Sequence, residues 1–291
     1  MWRLAALFLL AWLPAGCWQA PEQEAADPAI WEVTAPGGQK GWLFGTVHAL
    51  ERPALWRTKA VGDALEQARL LYVEVADLDD GAKLAKTFAE LSASDGLPPL
   101  SARVDPAMRQ TLRSVLERHG LSDAGFANVD TWAAALTFAQ AAAPRLETEY
   151  GIDRALLATA NDEGLQIAEL EGAAGQLAIF DSLPEAEQAD LLESVAKDAA
   201  SLSGESTDLV TAWRTGDMAA IERETTRGLL ADPELRAALF TDRNAAWTTR
   251  IAEAITQGRK PFVAVGAAHM AGTEGLPAML EAQGFGVNRL R

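Results

Sequence analysis

The sequence predicts an α/β protein: a central mixed sheet built from strand–helix units at both ends of the chain, with a large helical insertion between them. Three observations carry this expectation. Short apolar runs alternate with helical periodicity at both ends, near residues 41–78 and 261–289. The stretch AIWEVTAPGGQKGWLFGTVHAL reads as a hairpin, which adds an antiparallel pair to strands joined by helical crossovers. The segments at about 85–145 and 182–258 are patterned mostly as helices.

The elements follow in order. Ile30-Trp31-Glu32-Val33 runs into a Pro36-Gly37-Gly38 turn, and Gly41 to Val47 returns. A helix is expected from about Leu55 to Ala68, then the strand RLLYVEVADL with Glu74 near its end, which implies a parallel crossover. Asp105-Pro106 offers a cap and a first-turn proline for a helix lined by Met108, Leu112, Val115 and Leu116 and ended by Gly120. Another helix covers about 129–143, stopped by Pro144. GIDRALLATANDEG is a capped helix leading into the strand LQIAELE. Ser182 to Glu185 resembles a capping box, and Trp247, Ile251, Ala254 and Ile255 form an apolar stripe. The chain closes with strand 261–266, a helix near Glu274–Gln283 and a short strand in FGVNRL.

The N-terminus reads differently. MWRLAALFLLAWLPAGC has one basic residue, an apolar stretch from Leu4 to Leu13 too short to span a bilayer, and small residues before Cys17. That is the pattern of a secretory signal over residues 1–17. Ala15-Gly16-Cys17 resembles a lipobox, in which Cys17 becomes acylated, although Pro14 stands where an aliphatic residue is usual. Plain secretion with cleavage nearby is the alternative. Either route makes the protein exported, to the periplasm or cell envelope. Residues 18–29 form an acidic tether, and 30–291 a single α/β domain. With one cysteine there is no internal disulfide. A net charge of −16 argues against nucleic acid and anionic lipid as partners, so the lipid on Cys17 would be the membrane attachment.

Two of the three histidines share a context. GTVH ends the run at His48, and GAAH ends another at His269. A histidine after a buried strand emerges at the sheet's carboxyl edge, where α/β proteins bind ligands. If the two strands are neighbours, both rings face one crevice. The bland reading of each ring is a satisfied structural residue; the repetition argues for a shared site. His119, beside the Gly120 helix stop, reads as structural. Glu74 interrupts an apolar strand, and Glu169 and Glu171 lie near the end of another. There is no HExxH, GxSxG, P-loop, CxxC or dinucleotide glycine fingerprint.

GTVH, the glutamate of YVEV, GIDRALLATA, ELEGAAGQ, DRNAAW, and GAAH with MAGTEGLPAMLEAQGFGVNRL together resemble the TraB/GumN family. That family is related to Tiki-type metalloproteases and, more distantly, to haem-binding ChaN-like and erythromycin-esterase-like proteins. The resemblance covers nearly the whole mature chain. It implies a divalent-metal site, with His48, His269 and Glu74 as ligands for zinc, manganese or cobalt. Glu171, before Gln176, matches the family's "LE" and would act as base, its role open to exchange with Glu74's. Arg243 and Asn244 match its "RN" pair at a helix start, either one available to stabilise an oxyanion. Asp153 matches "GxD", although its plain reading is a helix N-cap. The implied activity is metal-dependent hydrolysis of a peptide or protein substrate. The alternative is a haem- or metal-binding lipoprotein without catalysis.

Overall fold

The computed structural model describes residues 22–78, 80–142, 147–200 and 205–291. The expected signal segment, Cys17, the start of the tether and the Pro144 helix stop lie outside the described residues. The strands are β1 (Glu24–Ala25), β2 (Ile30–Thr34), β3 (Lys40–Thr46), β4 (Ala54–Leu55), β5 (Leu70–Val73), β6 (Gln166–Glu169), β7 (Pro261–Gly266) and β8 (Gly286–Arg289). The first helices are α1 (Lys59–Gln67), α2 (Gly81–Leu91), α3 (Arg109–Arg118), α4 (Thr131–Ala142), α5 (Ile152–Glu163) and α6 (Gly172–Asp181). Then come α7 (Glu185–Ala200), α8 (Glu205–Thr215), α9 (Met218–Glu224), α10 (Pro233–Arg236), α11 (Asp242–Thr256) and α12 (Leu276–Ala282).

Six strands form one mixed sheet in the order β6-β5-β7-β3-β2-β8, and β1 pairs with β4 apart from it. The expected α/β class with a mixed sheet is what the chain adopts. β2 is antiparallel to β3 and to β8, while β3, β7, β5 and β6 run parallel. The hairpin turn uses Gly38 at φ 85°, a left-handed position that glycine adopts without steric cost. β7 arrives late in the chain yet sits between β5 and β3, and its residues Phe262 to Val265 are all fully buried. Such a strand, covered on both faces, needs the unbroken apolar run that PFVAV provides.

Alternation along the strands separates two cores. Trp42, Phe44, Leu71, Val73, Phe262 and Ala264 face α1 and α5. Leu43, Leu70, Val263 and Val265 face α11 and α12, where Trp247, Ile251, Ala254 and Ile255 form the expected stripe. A fully buried side chain such as Phe262 contributes roughly 1.5–3 kcal/mol by leaving water. Helices α3, α4 and α7 build a third core around Leu112, Val115, Trp132, Phe138 and Leu192.

Local expectations fail at three helix starts. Asp105-Pro106 makes a turn, with the Asp105 carboxylate accepting from Ala107 N–H, and α3 begins only at Arg109. Ser182 closes α6, donating its hydroxyl to the Ile179 carbonyl, rather than capping α7. Leu55 belongs to β4, and Thr58 caps α1 by accepting from Val61 N–H.

Candidate metal centre

His48 lies two residues beyond β3. Ile152 N–H donates to the Val47 carbonyl at 2.9 Å and docks the start of α5 on this strand end. Gly151 permits the approach, because a Cβ there would overlap the His48 carbonyl oxygen. Asp153 is thereby delivered to the ring. One carboxylate oxygen meets His48 Nδ1 at 2.8 Å, and the other accepts from the Thr46 hydroxyl at 2.6 Å. The helix N-cap is Gly151, so the capping role expected of Asp153 is corrected: both its oxygens turn inward to long-range partners.

The hydrogen bond that His48 donates to Asp153 raises the His48 pKa to about 9, against burial, which lowers it. The side chain is nevertheless 69% exposed, so water screens part of that effect. Burial would push Asp153 up, but its bond to His48, that ring's charge and the Thr46 hydroxyl together outweigh burial and hold it below the usual carboxylate range.

Glu74 follows β5 directly and is buried. Its Oε1 accepts from Gly266 N–H at 2.8 Å. Its Oε2 accepts from Arg243 Nη2 at 2.7 Å and Gln176 Nε2 at 3.1 Å. Burial, the largest single influence, would raise its pKa; attraction to His269 in its protonated form, to Arg243 and to His48, with the Gly266 N–H bond, together outweigh burial and lower it.

His269 sits in the short turn after β7, buried against Phe240 and Trp247 at ring-centroid distances of 5.3 and 4.6 Å. Burial depresses its pKa to about 4, so the ring is neutral at pH 7. Asn244 Oδ1 lies 2.7 Å from Nδ1; since the neutral ring must donate to this carbonyl oxygen, Nε2 carries the lone pair. Asn244 is fully buried, and its amide donates to the Glu274 carbonyl at 2.7 Å. Both ends of its amide are thus engaged, the oxygen on His269 and the nitrogen on Glu274, so in this structure it orients His269.

Arg243 joins these groups. Nε and Nη2 form a two-point pair with Glu171 at 2.8 Å each, Nη2 also reaches Glu74, and the guanidinium stacks over Trp247 at 4.6 Å. Burial favours loss of its proton, but Glu171 and Glu74 more than offset it and raise the pKa. The expected helix start is also corrected. Asp232 caps α10, and a π-helical stretch, Ala237–Thr241, continues into α11, so Arg243 lies inside a longer helix. π-Helical turns gather at functional sites because they redirect side chains.

The two Gly-x-x-His glycines serve different ends. Gly45 pairs with Val265 and Gly266 with Thr46, so they point to opposite faces of the sheet. A Cβ on Gly45 would lie 3.0 Å from Ala267 Cα. A Cβ on Gly266 would lie 3.5 Å from Glu74 Oε1, 3.9 Å from His48 Nε2 and 3.8 Å from His269 Cδ2. Gly266 thus marks the point the three expected ligands surround. The structure brings together His48, Glu74, His269, Asp153, Asn244, Arg243 and Glu171, while His119 closes α3 elsewhere. Thr46 and Phe240 join the site without having been singled out from the sequence, and Gln176, named there only as the glutamine after Glu171, donates to Glu74. Thr46 lies inside GTVH, and that motif was the available signal.

A cleft of about 220 Å³ opens over this point, with His48, Glu74, Asp153, Gln176 and Arg154 among its walls. Glu171, Arg243 and His269 lie behind that wall. Among the described residues, the donor atoms of Glu187, Asp232 and Glu234 are the ones that lie within 4.8 Å of one another, away from the sheet edge. Those of His48, Glu74 and His269 are spread more widely, with the Arg243 guanidinium contacting Glu74 and lying 3.4 Å from His269 Nε2. The donor chemistry still suits a divalent ion. Each imidazole is held through Nδ1 by an oxygen acceptor, as metal-binding histidines generally are, and a carboxylate adjoins them.

An α/β protein with a histidine–glutamate centre at the carboxyl edge of its parallel strands is the class these features define. Comparison with known proteins agrees: residues 29–289 match the TraB/PrgY/gumN family, and the chain belongs to it. The uncharacterized protein YbaP of Shigella flexneri and that of Escherichia coli (strain K12) are each 29% identical over 268 residues, covering 87% of this chain and 92% of theirs. No solved structure gives a significant match.

Proposed function

We propose that this chain is an exported, lipid-anchored, metal-dependent hydrolase of peptide bonds. The observation that carries the reading is the arrangement around Gly266: two imidazoles from adjacent parallel strands, each fixed through Nδ1, beside a buried glutamate from a third. His48, Glu74 and His269 would hold a zinc, manganese or cobalt ion, which when bound would polarise a carbonyl and acidify water. Asp153 holds the His48 ring at the cleft, and Asn244 fixes His269 through Nδ1, leaving the lone pair on its Nε2. Burial keeps His269 unprotonated, as a ligand must be. Arg243 supplies a fixed positive charge behind the cleft wall, suited to charge developing on a carbonyl oxygen. Glu171 positions Arg243; with both its oxygens committed there, it is not assigned as the proton acceptor. Export and acylation rest on the sequence before and at Cys17. Among the described residues no helix is long and apolar enough to cross a membrane.

The test uses the full chain, treated with chelator and then reloaded with zinc, manganese or cobalt, on a random peptide library. Cleavage is expected only after reloading, and not in His269→Ala. A reloaded wild type that cuts no peptide overturns the hydrolase reading. Mass spectrometry should find an acylated Cys17 at the mature N-terminus; an unmodified terminus downstream of it overturns the anchor.

A further inference from the structure

Beside the cleft lies a second, larger hollow of about 520 Å³ between α2, α4 and α6. Its eleven wall residues include no charged side chain, in a protein whose residues are 23% charged. Helix α2 is amphipathic, yet none of its residues is buried. Its apolar row, Leu84 and Phe88 at helical spacing, lines this hollow, with Phe88 also packed against the edge of the third core. Leu136 of α4 and Leu177 of α6 complete the wall and are likewise only half-buried. The Phe88 ring is braced edge-on against Trp132 at 5.5 Å, which makes the wall firm. Apolar surface left in a concave, uncharged wall is the mark of a binding site rather than of a solvated face.

The hollow adjoins the candidate centre across a shared wall. Val75, Leu78 and Gln176 belong to both walls, and Gln176 donates to Glu74 at 3.1 Å. We propose that the hollow receives an apolar side chain of the peptide substrate, adjacent to the bond that is cut. This inference rests on the peptide-hydrolase reading and assigns that site its specificity: the cleft that holds His48, Glu74 and Asp153 takes the backbone, and the hollow takes a leucine- or phenylalanine-sized group. A free acyl chain would fit the same apolar chemistry, but the wall shared with the cleft, where Gln176 is bonded to Glu74, favours a group attached to the backbone that crosses the cleft.

The experiment measures binding of two blocked hexapeptides of glycine and serine, identical except that one carries leucine in place of a central serine. Chelated full-length protein is used first, so that binding is read without turnover. The leucine peptide should bind on the order of tenfold tighter, the effect of burying one such side chain. Ala85→Trp, which adds bulk at an exposed wall position, and Leu84→Gln, which removes apolar surface from a half-buried one, should each reduce the preference to within about twofold. Their unfolding midpoints should stay near wild type. Equal binding of the two peptides, or a preference that survives both substitutions, overturns the proposal. So does dodecanoate displacing the leucine peptide without any peptide preference of its own, since that marks an acyl site. A preference for leucine without cleavage after any metal reloading supports the hollow and sinks the hydrolase reading, so the two failures separate.

Discussion

His48 and His269 follow neighbouring parallel strands with the same Gly-x-x-His spacing, yet their surroundings drive them to opposite protonation states. His48 is exposed, paired with a carboxylate and raised to about pKa 9. His269 is buried among aromatic rings, paired with a neutral amide and lowered to about 4. One ring is cationic at neutral pH in the metal-free protein, and the other neutral. The partner on Nδ1 and access of water determine this; the motif does not. For a shared cation the consequence is plain: His269 is ready to ligate, while His48 must release a proton first.

The largest expected effect comes from the cation that both sides share. Arg243→Ala leaves Glu74 and Glu171 buried without their counter-charge, and breaking a buried pair in this way costs about 3–5 kcal/mol. Denaturant unfolding should show it as a lower midpoint with unchanged slope, and a variant as stable as wild type removes Arg243 as the centre's keystone. Gly151→Ala should follow, at about 1–3 kcal/mol, since the new methyl must push α5 and Asp153 away from His48. NMR titration of that variant should find His48 moved down from about 9 toward 6.5. A His48 pKa that stays put would show that Asp153 is not delivered by this contact.

A smaller effect concerns pH. The His48 pKa is raised on folding, so its contribution to stability is present in full below about pH 6.5 and is lost as pH rises through about 9. Because the ring is 69% exposed, the amplitude should be slight. Asp153→Asn should flatten the stability profile between those two pH values while leaving His269 near 4. A profile that keeps its slope assigns the pH dependence to another group.

Much of this was legible because strand ends and apolar runs are local. Buried β7 showed as PFVAV, and the two histidine contexts located the sheet edge. The misreadings share a cause: the local pattern proposed a role that a distant partner overrode. Asp153 fits an N-cap by sequence, but Thr46 and His48, more than a hundred residues earlier, claim both its oxygens. Asn244 looked like a free polar group in a helix, and Glu274 and His269 bury it completely. Arg243 read as standing at a helix start only because the π-helical stretch before it leaves no mark in composition. The groove formed by α2, α4 and α6 was equally hidden, since an amphipathic helix reads the same whether its apolar face meets a core or a hollow.

The claim that two differently tuned imidazoles serve one ion is tested most directly by metal stoichiometry. Purified wild type, His48→Ala, His269→Ala, the double variant and His119→Ala are each dialysed against zinc, manganese or cobalt and analysed, with unfolding midpoints taken alongside. One ion per chain is expected in wild type and His119→Ala. Each strand-end variant should hold essentially none, and the double variant no less than either single one, because ligands of one ion act as a unit. Full occupancy in His48→Ala or in His269→Ala, with the fold intact, contradicts the shared centre.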